Sequence, residues 1–301
     1  MDASELLQRV RSSAVNASTI DALGIRIEQL CCDYSSADAH ELVATGREWL
    51  SSVTALLGSP LARTHRRDVL SNAGMLALLV GCLEYDLGDA RSAEATRRMA
   101  GELGTESDDP DIVGWAHEML AWFHLTSGNH HAVIPAADAG IQIADARSVS
   151  VQLHGQQAKA YARIGMPDKV HQALEEGRAL LDNLPCPDRP DHHFVVDPEK
   201  WDFYAMDTYR VAGQDRLARR NAEEILRHSV APMRRAEAQL TLAVVAAREG
   251  DVDEAISLGM AALRTGRQSR PSLLMVGGEL AHELGTHGAD FRDLLSSLKP
   301  P

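Results

Sequence analysis

Histidines and cysteines are the residues of this chain best suited to hold a metal or act as nucleophiles, and their spacing argues against both roles. His282-Glu283-Leu284-Gly285-Thr286-His287 separates its histidines by five positions. On a helix that sets them about 140° apart, and Gly285 ends the helix between them, so they do not share a metal. His130-His131 and His192-His193 are adjacent pairs whose members face different ways, and they read as solvated turn residues. The acidic turn Asp108-Asp109-Pro110-Asp111 lacks the alternating ligands and the glycine of a calcium loop and reads as a cap on the next helix. Cys31, Cys32, Cys82 and Cys186 match neither zinc-ligand spacing nor a disulfide scaffold, which leaves reduced thiols. There is no nucleophile elbow, phosphate loop, dinucleotide fingerprint or paired C-x-x-C. No catalytic residue, metal or cofactor is assigned on this basis, and the expectation is a binding protein rather than an enzyme.

Charge narrows the partners. The 301 residues carry 30 Lys+Arg against 43 Asp+Glu, a net charge of −13. Gripping nucleic-acid phosphates needs a concentrated basic face, whereas here the basic pairs Arg66-Arg67, Arg97-Arg98, Arg219-Arg220 and Arg234-Arg235 are scattered among acids and read as solvated helix faces. Direct nucleic-acid binding by this chain is not expected. The amino terminus has no basic-then-apolar signal pattern, and the longest apolar run, Met75–Val80, is far short of a bilayer span. A cytoplasmic protein without membrane contact is the expectation.

The elements that must position any site are helices. Alanine, leucine, glutamate and arginine dominate, and aromatic residues are only 4% of the chain, so strand-like runs are nearly absent apart from His193-Phe194-Val195-Val196. The fold class is all-α. A helix-ending glycine followed by polar residues and an alanine-rich helix recurs at Gly88, Gly128, Gly165, Gly213 and Gly250, spaced 40, 37, 48 and 37 residues apart. Glycine suits these ends because a left-handed residue closes a helix and glycine alone adopts it without steric cost. Asp251-Val252-Asp253-Glu254 resembles a capping box, and Pro167 suits a first helical turn. We divide the chain into a helical leader (1–58, helices near 3–12, 18–31 and 37–57), repeats (59–267) and C-terminal capping helices (268–301, near 271–284 and 288–298). The proline-rich stretch 184–193 reads as a long loop, either functional or mobile.

These repeats resemble the tetratricopeptide repeat (TPR) family, which has a small residue seven before the turn glycine, an aromatic four before it and an alanine five after. Ala243, Gly250, Ala255 and Ala262 fit that pattern, as do Tyr209, Gly213 and Ala218; Ala158, Tyr161 and Gly165 fit it in part, with Val170 in place of the alanine, and His124 with Ala132 departs further. The resemblance covers roughly residues 60–270 and implies a right-handed superhelix of stacked antiparallel helix pairs. The stretches His192–Asp207 and Arg270–Val276 also resemble the TPR-like sensor part of bacterial Xre-type transcriptional regulators, here with no helix-turn-helix domain ahead of it.

In the TPR family, the positions thirteen, ten, six and three before the turn glycine face the concave groove. Carried over, they give Met75, Leu78, Cys82 and Tyr85; Trp115, Glu118, Trp122 and Leu125; Gln152, Gly155, Lys159 and Ala162; Lys200, Phe203, Asp207 and Arg210; and Glu237, Leu240, Val244 and Ala247. Tyr85, Trp115, Glu118, Trp122, Gln152, Lys159, Lys200, Phe203, Asp207 and Arg210 are the candidate groove residues: aromatic anchors, with ions of both signs for orientation. Trp115 and Trp122 share a helical face, and Lys159, Lys200 and Arg210 suit a carboxylate or phosphate. The implied function is a regulatory module that binds a peptide, a protein segment or a small signal molecule. The alternative is a co-regulator that reaches DNA only through a DNA-binding partner chain, or a sensor part of a longer regulator. Helical arrays pair readily, so a homodimer is among the expected states.

Overall fold

The computed structural model describes residues 2–11, 16–58 and 60–299, so the last residue of the first expected helix lies outside the described residues. Those residues form α1 (Ala3–Arg11), α2 (Ala17–Asp33), α3 (Ala39–Leu56), α4 (Arg63–Asp86), α5 (Ala90–Ser107), α6 (Pro110–Thr126), α7 (His130–Ile143), α8 (Ser148–Ile164), α9 (Pro167–Asn183), α10 (Pro198–Val211), α11 (Asp215–His228), α12 (Pro232–Glu249), α13 (Val252–Leu263), α14 (Arg270–Leu284) and α15 (Ala289–Ser297). One 3-10 turn, Gly285–His287, follows α14, and no strand occurs among the described residues. The protein is all-α. His193–Val196 is irregular loop, because its apolar residues pack into a core between helices instead of pairing with a strand.

The boundaries follow the capping chemistry. Gly88, Gly128, Gly165, Gly213 and Gly250 all have φ between +69° and +90°, the left-handed conformation that favours glycine. Asp109 caps α6 by accepting from the Asp111 and Ile112 amides at 3.2 and 3.4 Å, Asp251 caps α13 through the Glu254 amide, and Pro167 opens α9. Gly285, at φ +53°, separates His282 from His287.

Each repeat is a packed pair of neighbours: α4 with α5, α6 with α7, α8 with α9, α10 with α11, α12 with α13. The first members form an inner row and are buried on most sides; α8 is buried almost without a break from Val149 to Ala160. The second members bury one stripe, such as Val170, Ala173, Gly177 and Leu181 on α9. Small residues on those stripes let the layers approach; a β-carbon on Gly259 would sit 2.6 Å from Leu280 and 2.9 Å from Phe291.

The inner row continues from α4 through α6, α8, α10 and α12 to α14, and α14 returns to touch both α4 and α6. The row closes on itself. Two arginines hold the closure: Arg267 donates to the Tyr34 carbonyl at 3.1 Å and to the Asp86 carboxylate at 2.8 Å, and Arg270 donates to the Leu87 carbonyl at 2.8 Å. α4 is the one described helix long and apolar enough to cross a membrane by composition, but 78% of its apolar window is buried in the protein, which makes it the core helix of the first pair.

Candidate ligand-binding cavity

The closed inner row surrounds a cavity of about 110 Å³. Its wall comes from Glu118, Trp122, Leu125 and Thr126 on α6, Gln152, Gln156 and Lys159 on α8, Lys200, Phe203 and Tyr204 on α10, and Met233, Arg234 and Glu237 on α12. Cys82 on α4 adds to it, Ser272 and Met275 on α14 close one side, and Tyr34, Ser35, His193 and Ser269 come from the connecting segments.

Of the ten residues expected in the groove, Glu118, Trp122, Gln152, Lys159, Lys200 and Phe203 line this cavity. The other four lie outside its wall. Trp115 is buried, edge-on to Phe194 at 5.3 Å between centroids. Tyr85 stacks on Phe123 at 3.9 Å, meets Trp122 edge-on, and its hydroxyl lies 2.6 Å from Thr126 Oγ1. Asp207 and Arg210 belong to a buried ion network: Asp207 pairs with Arg163 at 2.8 Å and with Arg210, and Glu279 of α14 pairs with Arg163 and Arg210 at 2.8 Å each. Arg210 also donates to Thr241 Oγ1 at 2.9 Å. Burial alone would raise the Asp207 pKa, but the Arg163 and Arg210 guanidiniums hold it well below the usual carboxylate range. Arg210 is therefore already committed to carboxylates of its own chain and is not available as an anion fork.

Three of the five lysine, arginine and glutamate side chains on the wall have protein partners. Lys200 Nζ donates to the carbonyls of His193 and Val195, tying the proline-rich loop to the start of α10, and lies over the Trp115 ring. Burial, aided by Arg234, pulls its pKa down to about 7. Glu118 accepts from Gln156 Nε2 at 2.6 Å, and burial raises its pKa while Gln152 and Gln156 oppose that rise. Arg234 pairs with Glu199 at 2.8 Å.

The other two do not. Lys159 is 6% exposed; its Nζ rests 4.2 Å from the Tyr204 ring centroid and 5.4 Å from that of Phe203, and it donates to no oxygen among the described residues. Glu237 is 7% exposed, and no hydrogen bond or ion pair reaches its carboxylate from a described residue. Burial pushes the Lys159 pKa down and the Glu237 pKa up to about 7. Gly155 lets Tyr204 lie close against α8, since a β-carbon there would meet the Tyr204 side chain at 3.0–3.2 Å.

Two readings of the sequence change here. His192 and His193 are not solvated: His192 is buried, and His193 lines the cavity with its ring 3.7 Å from that of Tyr34. Burial lowers the His193 pKa well below its ordinary value, which keeps it neutral. Likewise Arg234 faces the cavity instead of open solvent. The proline-rich loop is anchored, with the His193 amide on the Cys31 carbonyl at 3.2 Å and the Val196 amide on Ser148 Oγ at 2.7 Å. The family register, which covers α4, α6, α8, α10 and α12 alone, gave no signal for Tyr34, His193, Ser272 or Met275.

Neither protein-family models nor curated proteins give a match to this chain.

Proposed function

We propose that this chain is a regulatory binding module that holds a small signal molecule, or the end of a peptide, in the cavity enclosed by its inner helices. One observation carries the reading: an aromatic- and methionine-lined cavity contains two largely buried ionisable groups, Lys159 and Glu237, that make no hydrogen bond or ion pair with a described residue. Leaving such groups unpaired is costly for a fold, so it points to a partner that arrives from outside. The closed inner row favours a small ligand over an extended peptide lying along an open groove.

The five left-handed turn glycines and the stacked helix pairs support a TPR-like architecture, and the resemblance to Xre-type regulators points to a role in bacterial transcriptional regulation. A net charge of −13 assigns any DNA contact to another domain or partner chain. Binding would act on output by favouring the closed arrangement of α14 against α4 and α6.

The test is native mass spectrometry after incubation with the small-molecule fraction of a bacterial cell extract. Wild type is compared with Ser272→Leu, which fills the cavity from α14. The wild type acquires an added mass that Ser272→Leu lacks; equal adducts on both, or none on either, would contradict the reading.

A further inference from the structure

The charge arrangement inside the cavity goes further than its existence and specifies a ligand class; this step rests on the cavity being a ligand site. Its lysine, arginine and glutamate side chains fall into two sets. Lys200, Glu118 and Arg234 are each satisfied by carbonyls, amides or a carboxylate of the chain itself. Lys159 on α8 and Glu237 on α12 remain, of opposite sign, both more than nine-tenths buried. They form no ion pair with each other, so their charged atoms stand more than 4.0 Å apart. Something of complementary double charge fits that gap better than either a simple anion or a simple cation.

We infer that the cavity takes a small zwitterion with an apolar body, the chemistry of a free aliphatic or aromatic amino acid, with its carboxylate on Lys159 and its ammonium on Glu237. Adjacent ammonium and carboxylate groups bridge the two side chains with one charge-assisted hydrogen bond of about 2.8 Å to each. The Tyr204 face keeps the Lys159 ammonium cationic from below while its protons point to the ligand. Trp122, Phe203 and Met275 receive the apolar body. The volume is tight: about 110 Å³ is below the ~150 Å³ that admits a benzene ring, which favours a small ligand and is too little for an extended peptide.

Calorimetric titration of the full chain at pH 7.5 tests this with L-leucine, L-methionine and L-phenylalanine, and with two truncated forms of leucine: 4-methylpentanoic acid, which lacks the amine, and 3-methylbutylamine, which lacks the carboxylate. At least one of the three zwitterions binds, and removing either charged group weakens binding at least tenfold. Lys159→Met weakens the amino acid at least tenfold and abolishes the advantage over the amine. Glu237→Gln does the same relative to the acid. Circular dichroism melts establish that both variants are folded. Equal affinity for a zwitterion and its truncated forms would overturn the assignment, as would absence of binding by all three at 1 mM. If, in addition, Ser272→Leu still loses an extract-derived adduct, the cavity remains a ligand site and only the zwitterion assignment falls; if Ser272→Leu has no effect, the cavity reading itself falls.

Discussion

Glu237 is a side chain whose burial weakens the fold at neutral pH. Its carboxyl titrates at about 7 in the folded protein against 4.5 when solvated, because burial penalises the charged form. Below pH 4.5 both states are protonated and there is no penalty. Between 4.5 and 7 the unfolded chain releases the proton while the folded chain keeps it, so stability falls as pH rises; above 7 the loss is complete, up to about 3 kcal/mol. Glu237→Gln removes this dependence. Urea unfolding at pH 5 and pH 8 will show the variant gaining on wild type at the higher pH by up to about 3 kcal/mol. An identical offset at both pH values would mean that the carboxylate is solvated. Counting back from the turn glycines found Lys159, Glu118 and Lys200, because spacing from a left-handed helix end fixes which way a side chain points. The same count found Asp207 and Arg210, but not that Glu279 from α14 would neutralise them, since a register along one helix carries no information about its distant neighbour.

At the scale of elements, that ion network is the clasp between α8, α10 and α14. Arg163, Asp207, Arg210 and Glu279 come from three helices, and the Asp207 and Arg210 side chains are 1% and 0% exposed. Removing one member of a buried pair strands the others without a counter-charge, which costs about 3–5 kcal/mol. Asp207→Asn, similar in shape and lacking the charge, is expected to lower stability by that amount in denaturant unfolding; a loss under about 1 kcal/mol would indicate that water reaches the pair and screens it. The five helices given bounds from the sequence, α1 to α3, α14 and α15, lie within two residues of those bounds, because glycine, proline and aspartate at helix ends act through local geometry. The proline-rich loop was legible as a loop but not as a wall of the cavity. Its role depends on Phe194 and Val196 finding a core and on Lys200 capturing two of its carbonyls, which are tertiary events.

At the scale of the whole molecule, the decisive feature is that α14 comes back to α4 and α6. Arg267 reaches Tyr34 across 233 residues of sequence and Asp86 across 181. A repeat pattern implies curvature without stating where it stops, so closure was invisible in the sequence, and with it the contributions of Tyr34, Ser272 and Met275 to the cavity. Asp86 is fully buried and its carboxylate accepts from both Tyr34 and Arg267. Arg267→Met leaves that carboxylate without its cation. The variant is expected to lose about 3–5 kcal/mol and to gain hydrogen exchange across 264–270 and 192–197, where the closure and the loop meet the cavity. Exchange unchanged in both segments would mean that Arg267 does not hold the ring shut.

The central claim is that this ring encloses a ligand between Lys159 and Glu237. A crystal structure of the protein, grown after incubation with the small-molecule fraction of a bacterial cell extract and with the three amino acids in parallel, tests it most directly. The account predicts continuous density within hydrogen-bond distance of both Lys159 Nζ and the Glu237 carboxylate. Ordered water alone in the cavity under every condition would contradict it.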